Sequence, residues 1–182
     1  MNPPKILLLH AHPHPRKSKL NKHMLNAVAD LDNVTVKQLY ELYPDFQIDV
    51  EKEQQALLEH DVIVFQHPMY WYSAPALLKE WLDCVLEHGF AYGEAGTALT
   101  GKHFLSVVSA GSEKTSYDPV GHNRFTTEQL LAPFEQTAAL CNMLWQAPKI
   151  LYGGFKIDKE TLDQHCASYR EHLQHYTIET EQ

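Results

Sequence analysis

Two kinds of apolar run alternate along this chain, and they differ in period. Residues 5–10 (KILLLH), 61–65 (DVIVF) and 103–109 (HFLSVVS) are near-continuous apolar runs of strand length, as expected of strands covered on both faces. Residues 34–39 (VTVKQL) alternate apolar and polar, the mark of an edge strand. Between these runs the apolar positions take helical spacing. Leu20, Met24, Leu25, Val28 and Leu31 predict a helix over 18–31 with Ser18 as its N-cap, and Leu77, Leu78, Trp81, Leu82, Val85 and Leu86 make one stripe over 74–87. Further helices are predicted over 50–60, 125–141 and 158–176, and a fifth strand over 143–151.

Strands alternating with helices require crossover connections, which are right-handed and place helices on both faces of a parallel sheet. Five strands suit an α/β three-layer sandwich of flavodoxin-like order 2-1-3-4-5. In that order the chain reverses direction between strands one and three, so the loops beginning at His10 and Gln66 flank one crevice. No repeat, low-complexity tract or linker interrupts the pattern, which predicts a single domain over residues 1–182.

The second of those loops carries the strongest chemical signal. Residues 66–75 (QHPMYWYSAP) bring Pro68, Met69, Tyr70, Trp71 and Tyr72 together at a strand end. Aromatic faces grouped in a loop are costly to leave in water, and the natural cover is a flat ligand such as a flavin. Such a cluster also covers cores and subunit contacts. The first loop lacks the GxGxxG of a dinucleotide-binding turn, but it offers donors at a helix N-terminus, where free N–H groups and the dipole favour an anion. His12, Ser18, Lys19, Leu20 and Asn21 could hold a phosphate there, with Arg16, Lys17 and Lys22 nearby. A capped, solvated helix start accounts for the same residues. Ser109, Ala110, Gly111 and Ser112 follow the fourth strand and are small enough for backbone to approach a ring edge. Just beyond lie Tyr117 and His122, which can donate or exchange protons; solvent-facing polar residues have the same appearance.

Composition removes several classes of function. A formal charge of −8 argues against a nucleic-acid surface or adsorption to anionic lipid. Three widely spaced cysteines form no disulfide or zinc pattern and point to a reducing, cytoplasmic compartment. No span is long and apolar enough for a bilayer, so any membrane association is expected to run through a protein partner. His10, His12 and His14, spaced by two, invite a metal-dependent hydrolase as an alternative, but prolines intervene and no acidic ligand lies in the segment, so no metal is expected.

Three segments carry a family resemblance: residues 42–49 (LYPDFQID), 66–81 (QHPMYWYSAPALLKEW) and 88–102 (HGFAYGEAGTALTGK). They resemble the NAD(P)H:quinone oxidoreductase family, and within it the ancillary subunits of glutathione-regulated potassium-efflux systems. The resemblance implies a homodimer that binds FMN, with FAD as the alternative, and that passes two electrons from NAD(P)H to a quinone in a ping-pong cycle. It also implies a potassium-efflux antiporter of the inner membrane as a partner. Carried residue by residue, it assigns His12 and Ser18, Lys19, Leu20 and Asn21 to the flavin phosphate and ribityl chain. Pro68, Met69, Tyr70, Trp71 and Tyr72, with Ser109, Ala110, Gly111 and Ser112, go to the ring, and Tyr117 and His122 to proton transfer. Relatives commonly carry Thr-Thr-Gly-Gly where this chain has Ser109-Ala110-Gly111-Ser112, a loss of one hydroxyl and one glycine at the ring edge.

Overall fold

A computed structural model describes residues 3–14 and 18–178. Parallel strands β1 (Ile6–His10), β2 (Val34–Gln38), β3 (Val62–Pro68), β4 (His103–Ser109), β5 (Leu144–Trp145) and β6 (Lys149–Leu151) form one sheet in the order β2-β1-β3-β4-β5, with β6 also paired to β4. Helices α1 (Leu20–Val28), α2 (Leu39–Leu42), α3 (Val50–Glu59), α4 (Ala76–Val85), α5 (Thr127–Leu140) and α6 (Lys159–Gln174) complete a three-layer flavodoxin-like fold.

Successive strand side chains point to opposite faces, and this divides the core in two. Leu7, Leu9, Ile63, Phe65, Phe104 and Val108 pack with Leu57 of α3, Trp81 of α4 and Phe134 of α5. Ile6, Leu8, Val62, Val64, Leu105 and Val107 face Met24 and Val28 of α1 and Leu162, Tyr169 and Leu173 of α6. Three helices start where a side-chain oxygen accepts a free backbone N–H. Asp49 accepts from Lys52, Thr126 from Gln129 and Asp158 from Thr161.

The structure departs from the sequence-based expectation in four places. The fifth strand is two pieces on one path: Trp145 pairs with Phe104 and Lys149 with Val107, so the outer strand carries one extra residue, a bulge at Gln146-Ala147-Pro148. Pro148 has no N–H for a ladder there. β3 runs three residues past Phe65, because Gln66, His67 and Pro68 are fully covered and pair with Val107, Val108 and Ser109. α2, a four-residue turn, lacks the apolar period that would announce it. Ser18 is not the N-cap of α1: Lys19 holds that position without a side-chain bond, and Ser18 is buried nearby.

Candidate functional site

All strands run the same way, so the segments after β1, β3, β4 and β6 meet at one rim. Two adjoining cavities lie there, of about 310 Å³ and about 200 Å³. The first is lined by His12, Ser18, Lys19, Leu20, Asn21, Pro68, Met69, Tyr70, Ser109, Ala110 and Gly111, with Gly154 and Phe155. Trp71, Tyr72, Ser112, Tyr117 and Asn123 line the second, which shares Met69, Gly111 and Phe155 with the first. The two cavities are therefore halves of one cleft. Every residue expected from the sequence to touch a flavin lies in it, whereas Arg16 and Lys17 fall outside the described residues.

A buried hydrogen-bond chain fixes the floor of the first half. Tyr169 donates to Gln66 Oε1 (3.2 Å), Gln66 Nε2 donates to the Asn21 carbonyl (2.9 Å), and Asn21 Nδ2 donates to Ser109 Oγ (2.7 Å). The chain ties α6, β3, α1 and β4 together around Asn21, which is 1% exposed. Among the described residues its Oδ1 has no partner. A buried acceptor without a donor costs about 1–3 kcal/mol, and Asn21 is also one of the residues that line the cavity. Asn21 also opens the first turn of α1, whose N–H groups have no intrahelical acceptor. His12 Nδ1 accepts the His14 N–H at 3.0 Å, which leaves Nε2 to carry the ring proton as a donor. Burial, then His14, holds the His12 pKa below its ordinary value, so the ring is neutral at pH 7.

The second half is built on a tight hairpin. Tyr70 and Ser73 exchange both backbone hydrogen bonds (3.1 and 3.0 Å), which places Trp71 at φ 50° and Tyr72 at φ 62°. A two-residue turn with both residues left-handed ordinarily demands Asn-Gly; here two aromatics occupy it at roughly 1–3 kcal/mol each. The strain projects the Trp71 ring, 92% exposed, over the cleft mouth. Tyr117 is buried opposite. Burial raises its pKa, so it keeps its proton at neutral pH.

His122 does not join Tyr117 in the cleft. It is exposed, and the next residue, Asn123, lines the cavity, accepting a long hydrogen bond from Tyr72 (3.5 Å). Residues 118–125 form turns without a period, so nothing in the sequence distinguishes the two neighbours. Phe155 was also missed, although a Gly-Gly-Phe sequence after the last strand of an open α/β sheet was the available signal. The histidine triad divides: His10 borders a separate cavity with Lys22, Gln38 and Glu41, and His14 is exposed. Among the described residues no group of three or more His, Cys, Asp or Glu side chains could hold a metal.

The cleft thus suits a molecule with an anionic end at the start of α1, a hydroxylated middle beside Asn21, and a flat ring between the Trp71 hairpin and the Gly111 backbone. Comparison with known proteins points the same way. The chain is 52% identical over 174 residues to the glutathione-regulated potassium-efflux system ancillary protein KefG of Yersinia pestis, covering 96% of each protein. Among solved structures, general stress protein 14 of Treponema denticola in complex with FMN is 37% identical at a TM-score of 0.85, over 93% of this chain and 96% of that one. An NADPH-quinone reductase from P. pentosaceus is 30% identical at 0.87, over 95% and 99%. A family model for the flavodoxin-like fold matches residues 4–173, and the chain belongs to that family.

Proposed function

We propose that this protein is an FMN-dependent NAD(P)H:quinone oxidoreductase that acts as a cytoplasmic homodimer and as an ancillary subunit of a potassium-efflux antiporter. The observation that carries the flavin reading is the buried Asn21 Oδ1 of the cleft floor, without a partner among the described residues, on a residue held by bonds to β3 and β4. A ribityl hydroxyl supplies the donor it lacks. The free N–H groups of α1, Ser18 and the His12 Nε2–H take the phosphate, and the likeness to a protein solved in complex with FMN favours FMN over FAD. Gly111 supports the ring reading, because it lines both halves of the cleft.

When bound, the flavin supplies hydride transfer in both directions. The chain's own task is positional and protonic. Met69, Trp71 and Tyr72 give the ring a face to lie on, and one open pocket admits nicotinamide and then quinone, as a ping-pong cycle needs. The Gly111 and Ser112 N–H groups hold developing negative charge at the ring edge. Tyr117, protonated at neutral pH, delivers the proton to the reduced quinone. His122 can act only from the solvent side of the same loop.

The transporter role rests on the likeness to KefG, and the described residues hold no helix long and apolar enough to cross a membrane. A test of the oxidoreductase half is direct. Purified protein titrated with FMN should bind one flavin per chain, oxidise one equivalent of NADPH or NADH per flavin on its own, and turn over only when a benzoquinone is present. Failure to bind FMN or FAD sinks the reading. Co-purification with a membrane antiporter, and potassium efflux that falls on deletion, test the other half; equal efflux with and without the protein leaves a free-standing reductase.

A further inference from the structure

We propose that Phe155 is a ring-stacking residue of this cleft, carried on a carboxyl-terminal strap that also orients the Gly111 loop. The proposal rests on the flavin reading above and assigns a residue to it. Phe155 is 86% exposed, unusual for a large apolar side chain, yet its ring is not loose in solvent. A Cβ added at Gly111 would lie 2.4 Å from its Cε2 and Cζ, so the ring rests directly on the Gly111 backbone. Phe155 lines both halves of the cleft. Any molecule that spans the two halves must pass it.

The strap that carries it is zipped to the loop after β4. Gly154 donates to the Ala110 carbonyl (3.0 Å), Phe155 to Gly111 (3.2 Å) and Gly153 to Ser112 (2.8 Å). Three consecutive carbonyls of that loop are thereby engaged from the strap side, which leaves its N–H edge for the cleft. Gly154 is needed for the fit, because a Cβ there would sit 2.5 Å from Leu20 Cδ1 and 3.1 Å from the Ala110 oxygen. Phe155 is thus an exposed aromatic on a fixed backbone at the neck of a cleft whose other exposed aromatics are Trp71 and Tyr72. Flat ligands are held by such faces at either side, and each face contributes independently.

The test is FMN titration of the wild-type protein, Phe155→Ala and Phe155→Trp, read by dissociation constant and by fluorescence of the bound flavin, with sedimentation velocity on each. Because the side chain is exposed, the variants are expected to fold, and circular dichroism checks this. Phe155→Ala should weaken FMN about fivefold, while Phe155→Trp keeps the affinity and dims the bound flavin, because a stacked indole, unlike a phenyl ring, donates an electron to the excited flavin. Unchanged affinity in Phe155→Ala, or a bound flavin as bright in Phe155→Trp as in wild type, overturns this proposal and leaves the flavin reading intact; wild-type protein that binds no flavin overturns both. Weaker binding in Phe155→Ala with a shifted sedimentation coefficient and no dimming in Phe155→Trp makes Phe155 a subunit contact and also overturns the proposal.

Discussion

Two buried polar clusters in this molecule solve the same electrostatic problem in opposite ways. Around Glu53, fully buried in α3, the chain supplies every partner: Lys37 Nζ and Tyr43 OH lie 2.5 Å from Oε1, and Trp81 Nε1 lies 3.0 Å from Oε2. Around Asn21, which lines a cavity, the described residues supply partners for the carbonyl and Nδ2 and none for Oδ1. A saturated cluster joins elements and has nothing left for a ligand. An open one, equally well anchored, is a site with one bond reserved. The difference separates structure from function here more sharply than burial or charge does.

The sharpest break of the comparison is Glu53→Ala. Removing one member of a buried ion pair leaves the others unpaired and costs about 3–5 kcal/mol. Urea denaturation should show that loss with FMN affinity little changed in the folded fraction. A variant as stable as wild type would mean that the cluster does not hold α3 to β2 and α4.

His67 qualifies the lesson, because an open valence in a residue that lines no cavity marks no site. His67 is fully buried with Nε2 unpartnered, and burial pushes its pKa down to about 4; burial, then His12 and His67, does the same to His10. In the unfolded chain both titrate near 6.5. Between those values the unfolded state binds more protons, so stability is full above pH 6.5 and falls as pH drops toward 4. The slope reaches about 1.4 kcal/mol per pH unit for each histidine. His67→Met should remove about half of that slope in urea midpoints measured across the window. An unaltered slope would place the acid sensitivity elsewhere.

Asn21→Leu tests the open cluster itself. It removes the Ser109 bond and the reserved acceptor while keeping the Gln66 bond to the backbone, so stability should fall by about 1 kcal/mol and FMN affinity by about tenfold. If affinity survives while stability drops, Asn21 belongs with Glu53 as a structural residue.

How much of this was legible beforehand follows from what leaves a period. The strands were readable because doubly covered strands are continuous apolar runs, and residues 103–109 were placed to the residue. The cleft was readable because the strand order puts particular loops together whatever their conformation. Gln66-His67-Pro68 read as loop because of its polar atoms and proline, and it is strand because neighbouring residues cover it, a tertiary effect that no local pattern carries. The Glu53 cluster joins residues from β2, the segment after α2, α3 and α4, so only the folded chain assembles it. Asn123 in place of His122 is the same lesson in a turn, where one residue of register decides which side chain meets the cleft.

The smallest expected effect concerns the hairpin, where function and stability should pull apart. Trp71 is left-handed at φ 50° and 92% exposed, so its side chain contributes little packing and its backbone stores strain. Trp71→Gly relieves that strain at almost no cost in contacts and should raise stability by about 1 kcal/mol, less the extra entropy glycine gives the unfolded chain. The same change deletes a wall of the cleft, so flavin or quinone should bind more weakly. A rise in melting temperature with a fall in affinity identifies the turn as strain retained for a ligand. If stability falls instead, Trp71 is covered in solution by something the isolated chain does not contain, and a second subunit is the first candidate to look for by sedimentation.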